Sequence, residues 1–124
     1  MTARTGSSTM HIGELAERTG LSLRTIRHYD EVGLLPATAR TDGGFRVYSE
    51  EDYERLTVIK QMKPLGFSLE EMAEILAILS AGHAAGDSAR FPDFLEKAVR
   101  QREKLARNLA QADELITRLG GLLP

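Results

Sequence analysis

The chain contains no cysteine. That removes disulfides, thiolate metal sites and thiol redox switches together, and it fits a reducing compartment, here expected to be the cytoplasm. No apolar run approaches the roughly 20 residues of a membrane span, so no membrane association is expected. Residues 1–8 lack the apolar core of a secretory signal. Residues 1–9 read as a flexible leader, and Met10 offers an alternative start. A strong charge of either sign is missing too, since the formal net charge is −2. Residues 1–66 hold nine Lys/Arg against nine Asp/Glu, and residues 67–124 hold seven against nine. Bulk charge therefore gives no support to binding a polyanion, and any such binding must come from placement. Catalytic patterns are also lacking: there is no paired nucleophile and base, no phosphate-cradling glycine loop and no metal-ligand spacing. His11, His28 and His83 fall on three separate elements and make no metal set. Glu50-Glu51-Asp52 and Glu70-Glu71 sit where helix N-termini favour acids. Neither an enzyme nor a metal or other cofactor is expected.

What is present is dense between residues 12 and 48. Ile12-Gly-Glu-Leu-Ala-Glu-Arg18 predicts a first helix with Ile12, Leu15 and Ala16 inward, ended by Gly20. Ser22 is placed to cap a second helix, predicted over Leu23–Glu31. Ile26 and Tyr29 take its apolar side. Arg24, Arg27 and His28, spaced three and four apart, project together with Thr25 on the other side. Two helices joined by so short a turn make a helix-turn-helix, whose second helix reads the major groove. Ser22, Arg24, Thr25, Arg27, His28 and Tyr29 are the candidate contacts to double-stranded DNA. Gly33 is placed to end the second helix.

Residues 37–48 predict a hairpin. Ala37–Arg40 and Phe45–Tyr48 are its arms, and Thr41-Asp-Gly-Gly44 is its turn. Alternation puts Phe45 and Val47 on one face and Arg46 and Tyr48 on the other. A hairpin after a helix-turn-helix is a wing, and Arg40, Phe45, Arg46 and Tyr48 become candidate DNA contacts.

Ser49 starts the next helix with a capping-box pattern ending in Asp52. Tyr53, Leu56, Ile59 and Met62 form its apolar side, and Pro64 weakens it from Lys63 on. Ser68-Leu-Glu-Glu71 caps a shorter helix whose buried side is Leu69, Met72, Ile75, Leu76 and Leu79. Residues 81–90 read as a connector loop. The last helix, 91–119, carries a heptad seam of Phe91, Leu95, Ala98, Arg102, Leu105, Leu109, Ala112, Ile116 and Leu119. A second copy of the chain is the simplest partner for that seam. Arg102 is its exception, either fixing register or extending to the edge. Residues 120–124 are a tail.

Taken together, Thr25-Ile-Arg-His-Tyr-Asp-Glu-Val-Gly-Leu-Leu-Pro36, Gly44-Phe-Arg-Val-Tyr48 and Leu65-Gly-Phe-Ser-Leu-Glu-Glu-Met72 resemble the MerR family of bacterial transcription regulators over roughly residues 10–80. The resemblance implies a mainly α fold: a winged helix-turn-helix DNA-binding domain at 10–80 and a long C-terminal dimerisation helix, antiparallel in the coiled coil of a homodimer. It implies binding to a palindromic promoter element whose spacer is over-long. The bound DNA is bent and untwisted so that RNA polymerase, engaged indirectly at the promoter, meets both its contact regions. It maps Arg24, Thr25, Arg27, His28 and Tyr29 onto the family's recognition helix, and Arg40, Phe45, Arg46 and Tyr48 onto its wing. Lys60 and Lys63 match basic positions that touch the phosphate backbone. Several residues depart from the pattern. His28 stands where many members have a second aromatic, Phe45 replaces a frequent Tyr, and Pro64 interrupts a usually helical stretch. Metal- and redox-sensing members use cysteines near the last helix, which this chain lacks, and multidrug-sensing members carry a large extra domain. The sensor is thus either small, built around residues 80–95 for an unidentified small-molecule effector, or absent. The implied location is the bacterial nucleoid. Two other readings of the same features are a DNA-architectural or recombination accessory protein, and an interaction module whose last helix pairs with a different chain.

Overall fold

The computed structural model describes residues 9–82 and 89–124. It falls into two compact units, the first ending at Ala77 and the second beginning at Ile78. In order, the elements are β1 (Thr9–His11), α1 (Ile12–Thr19), α2 (Leu23–Glu31), β2 (Ala39–Arg40), β3 (Arg46–Ser49), α3 (Glu50–Met62), a 3-10 turn (Lys63–Leu65), α4 (Leu69–Ala81) and α5 (Phe91–Gly120).

Helix ends follow local chemistry. Gly20 takes a left-handed φ of 77° and its N–H donates to the Ala16 carbonyl, closing α1. The Ser22 hydroxyl oxygen accepts the Thr25 N–H at 3.0 Å, which satisfies one of the free donors at the start of α2. At its other end the Gly33 N–H donates to Asp30 and the Leu34 N–H to Tyr29. With Gly33 at φ 81°, this is a Schellman closure, and glycine is the residue that adopts it without a Cβ clash. Ser49 and Asp52 make both bonds of a capping box. Ser68 and Glu71 do the same for α4, at 2.9 and 3.1 Å. Pro64 turns the end of α3 into the 3-10 segment, as a residue without an N–H must.

The sheet has three strands in the order β1-β3-β2, both pairings antiparallel. The hairpin strands are shorter than the expected arms. Thr41–Gly44 closes them, with the Gly44 N–H donating to the Thr41 carbonyl and the Thr41 N–H to Phe45. β1 was not expected. Its Thr9 belonged to the predicted leader, yet it pairs with Ser49, and Met10 pairs with Tyr48. Met10 is buried.

Leu15, Ile26, Leu35, Tyr48, Leu56 and Ile59 are fully buried. They come from both helices of the helix-turn-helix, from the segment after it, from the sheet and from α3, so one core holds these elements together. The expected inner side of α4 needs correction. Met72 and Leu76 are buried, but Leu69 and Leu79 are exposed. Leu69 opens the helix and lines a shallow apolar notch with Val32, Leu34 and Ala73.

In the second unit, α5 runs 30 residues, a rod of about 45 Å at 1.5 Å per residue. Phe94 is its one buried residue among those described, and the Arg90 guanidinium lies 4.9 Å from its ring. The expected seam faces solvent: Phe91, Leu95, Leu105, Leu109, Ile116 and Leu119 are exposed, as are Ala112 and Arg102, and Ala98 is half-buried. Leu115, which was not part of the expected seam, is also exposed and widens the apolar stripe beside Ile116. No described helix is long and apolar enough to cross a membrane.

Candidate nucleic-acid interface

The exposed side of α2 is built as its spacing requires. Arg24, Arg27 and His28 are exposed, Thr25 is half-buried, and Ser22 is exposed at the helix start. The Ser22 hydroxyl also donates to Thr25 Oγ1 at 2.9 Å, so both are engaged in the cap. Arg24, Arg27 and His28 have no hydrogen-bond or ion-pair partner among the described residues; the His28 ring lies 6.1 Å from that of Tyr29. Arg24 and Arg27 lie on the N-terminal and middle turns, the part that enters a major groove in this motif, and His28 lies on the last turn.

Tyr29, on the same helix, is not on that surface. It is 4% exposed and belongs to the core, which corrects its place among the expected contacts. The reason is spacing: three positions after Ile26, it falls on the stripe that packs inward.

The wing needs a similar correction. Arg46 and Tyr48 do share a face, but that face is the inner one. Tyr48 is fully buried, and its hydroxyl has no hydrogen-bond partner among the described residues. Burial pushes the pKa of that phenol above its ordinary value, and the nearby Asp30 charge adds to the shift. Tyr48 is therefore a core residue, not a phosphate contact. Period-two alternation tells which residues share a side of a strand but not which side is covered. Phe45, on the opposite face, is 69% exposed at the wing tip. Its ring packs where a Cβ at Gly43 would come within 3.1 Å, so a side chain at 43 would force the ring to move.

Arg46 turns inward to Asp30 on α2. Its Nε donates to Asp30 Oδ2 at 2.7 Å. Arg40 donates to the same oxygen through Nη2 at 3.4 Å and to the Gly44 carbonyl through Nη1 at 3.0 Å. The other carboxylate oxygen accepts the Ala37 N–H at 3.1 Å. Burial by itself pushes the Asp30 carboxyl up. The Arg46 hydrogen bond, the Ala37 N–H and the two guanidinium charges more than offset it and hold the carboxyl below its ordinary range. Arg40 remains half open to solvent, with 52% of its side chain exposed against 18% for Arg46. Asp30 sits between the two basic residues of the wing. No local signal marks this, because its partners are 10 and 16 residues away in the chain.

Lys60 and Lys63 are exposed. The Lys60 ammonium donates to the Thr19 carbonyl, so it closes the C-terminal end of α1, where a cation is favoured. Lys63 lies in the 3-10 turn after α3. Arg18, absent from the expected set, makes two bonds to Glu50 at 2.7 and 3.2 Å and lies 4.0 Å over the Tyr53 ring. It ties α1 to α3. His28 and His11 sit on separate elements, and no described group of side chains could hold a metal ion. His83 lies outside the described residues, as do residues 83–88 of the expected connector.

A helix-turn-helix, a three-stranded wing and a long terminal helix can be compared with known proteins as a unit. Residues 10–78 match the profile of the MerR HTH family regulatory protein. Residues 53–122 match the profile described as MerR, DNA binding. The HTH-type transcriptional regulator YfmP of Bacillus subtilis is 53% identical over 68 residues, 54% of this chain and 49% of that protein. The chain thus spans about half the length of that relative. The mercuric resistance operon regulatory protein of Bacillus cereus is 36% identical over 98 residues, 79% of this chain and 70% of that protein. Among solved structures, the N-terminus of the Bacillus subtilis multidrug transporter activator is 35% identical, with a TM-score of 0.58 over 93% of this chain and 99% of that one. Between them the two profiles run through the helix-turn-helix, the wing and the terminal helix. The chain belongs to the MerR family of helix-turn-helix transcription regulators, proteins that bind DNA and are not enzymes.

Proposed function

We propose that this chain works as a homodimer that binds a palindromic promoter element and controls transcription by distorting the DNA there, with RNA polymerase engaged indirectly at the same promoter. The observation that carries the reading is the union of two basic supports. Arg24, Arg27 and His28 are exposed on α2, and the wing arginines are tied to that same helix through Asp30. A helix row and a wing held together can meet a major groove and the adjoining backbone in one encounter. Of the two acids on α2, Asp30 is bonded to the wing arginines, and Glu31 is exposed at the C-terminal end of the row, three and four positions after His28 and Arg27.

The exposed stripe of α5 supports self-association. An apolar row of this length is covered most simply by a second copy, which would repeat the two supports at a fixed spacing and select an inverted repeat. Antiparallel pairing, location at the nucleoid and an unidentified small-molecule effector sensed around residues 80–95 belong to the same proposal.

Three measurements test it. Light scattering of the pure chain is expected to give a dimer mass; a monomer would instead favour pairing with a different chain. Binding to a duplex selected from random DNA is expected to weaken steeply as salt rises, because phosphate contacts release counterions. Arg24→Ala with Arg27→Ala is expected to abolish preference for that duplex. In-vitro transcription from a promoter carrying the selected site is expected to change when protein is added. No change would favour an architectural or recombination accessory role.

A further inference from the structure

Asp30 is the least expected charge on the basic face. It sits on the last turn of α2, where the helix dipole disfavours a carboxylate. On a DNA-facing element it also repels phosphate. Neither helix stability nor raw DNA affinity explains an acid at this position.

Its bonds do. Arg40 and Arg46 are direct cross-strand partners, and like charges placed opposite each other destabilise a two-stranded ribbon. Asp30 Oδ2 accepts from both guanidinium groups, and Oδ1 accepts from the backbone of Ala37 just ahead of β2. One carboxylate therefore converts a repulsion into a clamp and attaches three points of the wing to the recognition helix. The Arg46 bond is made through Nε, and its two Nη atoms have no partner among the described residues. The bond at Nε restrains the guanidinium and leaves its outer donors for another acceptor.

We propose that Asp30 is a positioning residue for DNA recognition: without touching DNA, it fixes the wing, through Arg40 and Arg46, at one distance and tilt from Arg24 and Arg27. The inference rests on the DNA-binding reading above. Sequence preference requires that both supports engage together, whereas non-specific binding requires only positive charge. Removing the carboxylate should thus have opposite effects on the two. It frees the wing, which weakens binding to a preferred site. It also deletes a negative charge, which favours any DNA.

The test uses the full chain and two duplexes of equal length: one selected by the wild-type protein from a random library, and one of random sequence. Fluorescence anisotropy gives an affinity for each. Asp30→Asn is expected to lower affinity for the selected duplex at least about tenfold, while affinity for the random duplex holds or rises. In a background of Arg40→Gln with Arg46→Gln, adding Asp30→Asn is expected to leave the ratio of the two affinities unchanged, because the residues it acts through are gone and the lost negative charge favours both duplexes alike. A merely structural role would instead lower the melting temperature and reduce both affinities together, in either background. Tighter binding to both duplexes would show that the carboxylate only repels DNA. Either result overturns the proposal. Should Asp30→Asn not fold, Asp30→Glu and Asp30→Gln supply the comparison, since they share a shape and differ in charge. Glu is expected to keep the ratio of the two affinities and Gln to lose it, and equal ratios would overturn the proposal. If the wild-type chain selects no sequence at all, it is the DNA-binding reading that fails, and the two failures remain distinct.

Discussion

Replacing Tyr48 by Phe deletes one oxygen atom from the middle of the first unit and leaves the ring in place. The ring is fully buried, and the hydroxyl has no partner among the described residues. A buried donor left unpaired costs about 1–3 kcal/mol relative to one that stays in water. Deleting it recovers most of that cost and leaves a void no larger than the lost oxygen. Tyr48→Phe is therefore expected to stabilise the protein by about 1 kcal/mol, which for a domain of this size raises Tm by about 4–8 °C. The assay is thermal and urea unfolding followed by circular dichroism, at one fixed protein concentration, because dimerisation would make Tm depend on it. Affinity for the selected duplex should not change, since the side chain is not on the surface. A loss of about 1 kcal/mol in stability would mean that the hydroxyl is hydrogen-bonded in solution. A tenfold loss of DNA affinity without a loss of stability would mean that it reaches phosphate. Either outcome would refute the assignment of Tyr48 to the core.

Other expectations follow from the same bonds. The Asp30 and Glu50 carboxyls are both held below their ordinary ranges, Glu50 chiefly by its hydrogen bond from Arg18. A depressed carboxyl contributes stability that is present above its unfolded value and is lost as pH falls through its folded one. Stability should therefore drop below about pH 4, and the drop should shrink in Asp30→Asn, as read by urea unfolding at a series of pH values. Asp52→Ala removes the acceptor of the Ser49 N–H and of the Thr38 hydroxyl, and should cost about 2 kcal/mol in urea unfolding; a change under about 0.5 kcal/mol would contradict the capping box. Leu109→Glu puts a charge in the centre of the exposed stripe of α5, and sedimentation should then show monomer; an unchanged dimer would place the interface elsewhere.

The helices could be read from the chain because their boundaries are set by neighbours in sequence. Ser22, Ser49 and Ser68 bond to residues three positions on, Gly20 and Gly33 close their own helices, and Pro64 stops α3 where it lacks a donor. What escaped the sequence depends on distant partners. β1 is three residues with no turn signal, and it exists because β3 offers it an edge. Which face of β3 is covered is decided by the core beneath it, so Tyr48 moved from the expected contact surface to the interior. Asp30 carries no signal of its role in its neighbours, because the two arginines that bond to it come from the wing. Lys60 found the end of α1, 41 residues away. The exposed row on α2 was legible because it needs nothing but helical spacing.

The most direct test is selection of binding sites from a random DNA library by the wild-type chain. If two copies hold paired arginine supports at a set separation, the enriched sequences will be inverted repeats spanning about two helical turns. Enrichment of a lone half-site, or of no sequence, would contradict that arrangement.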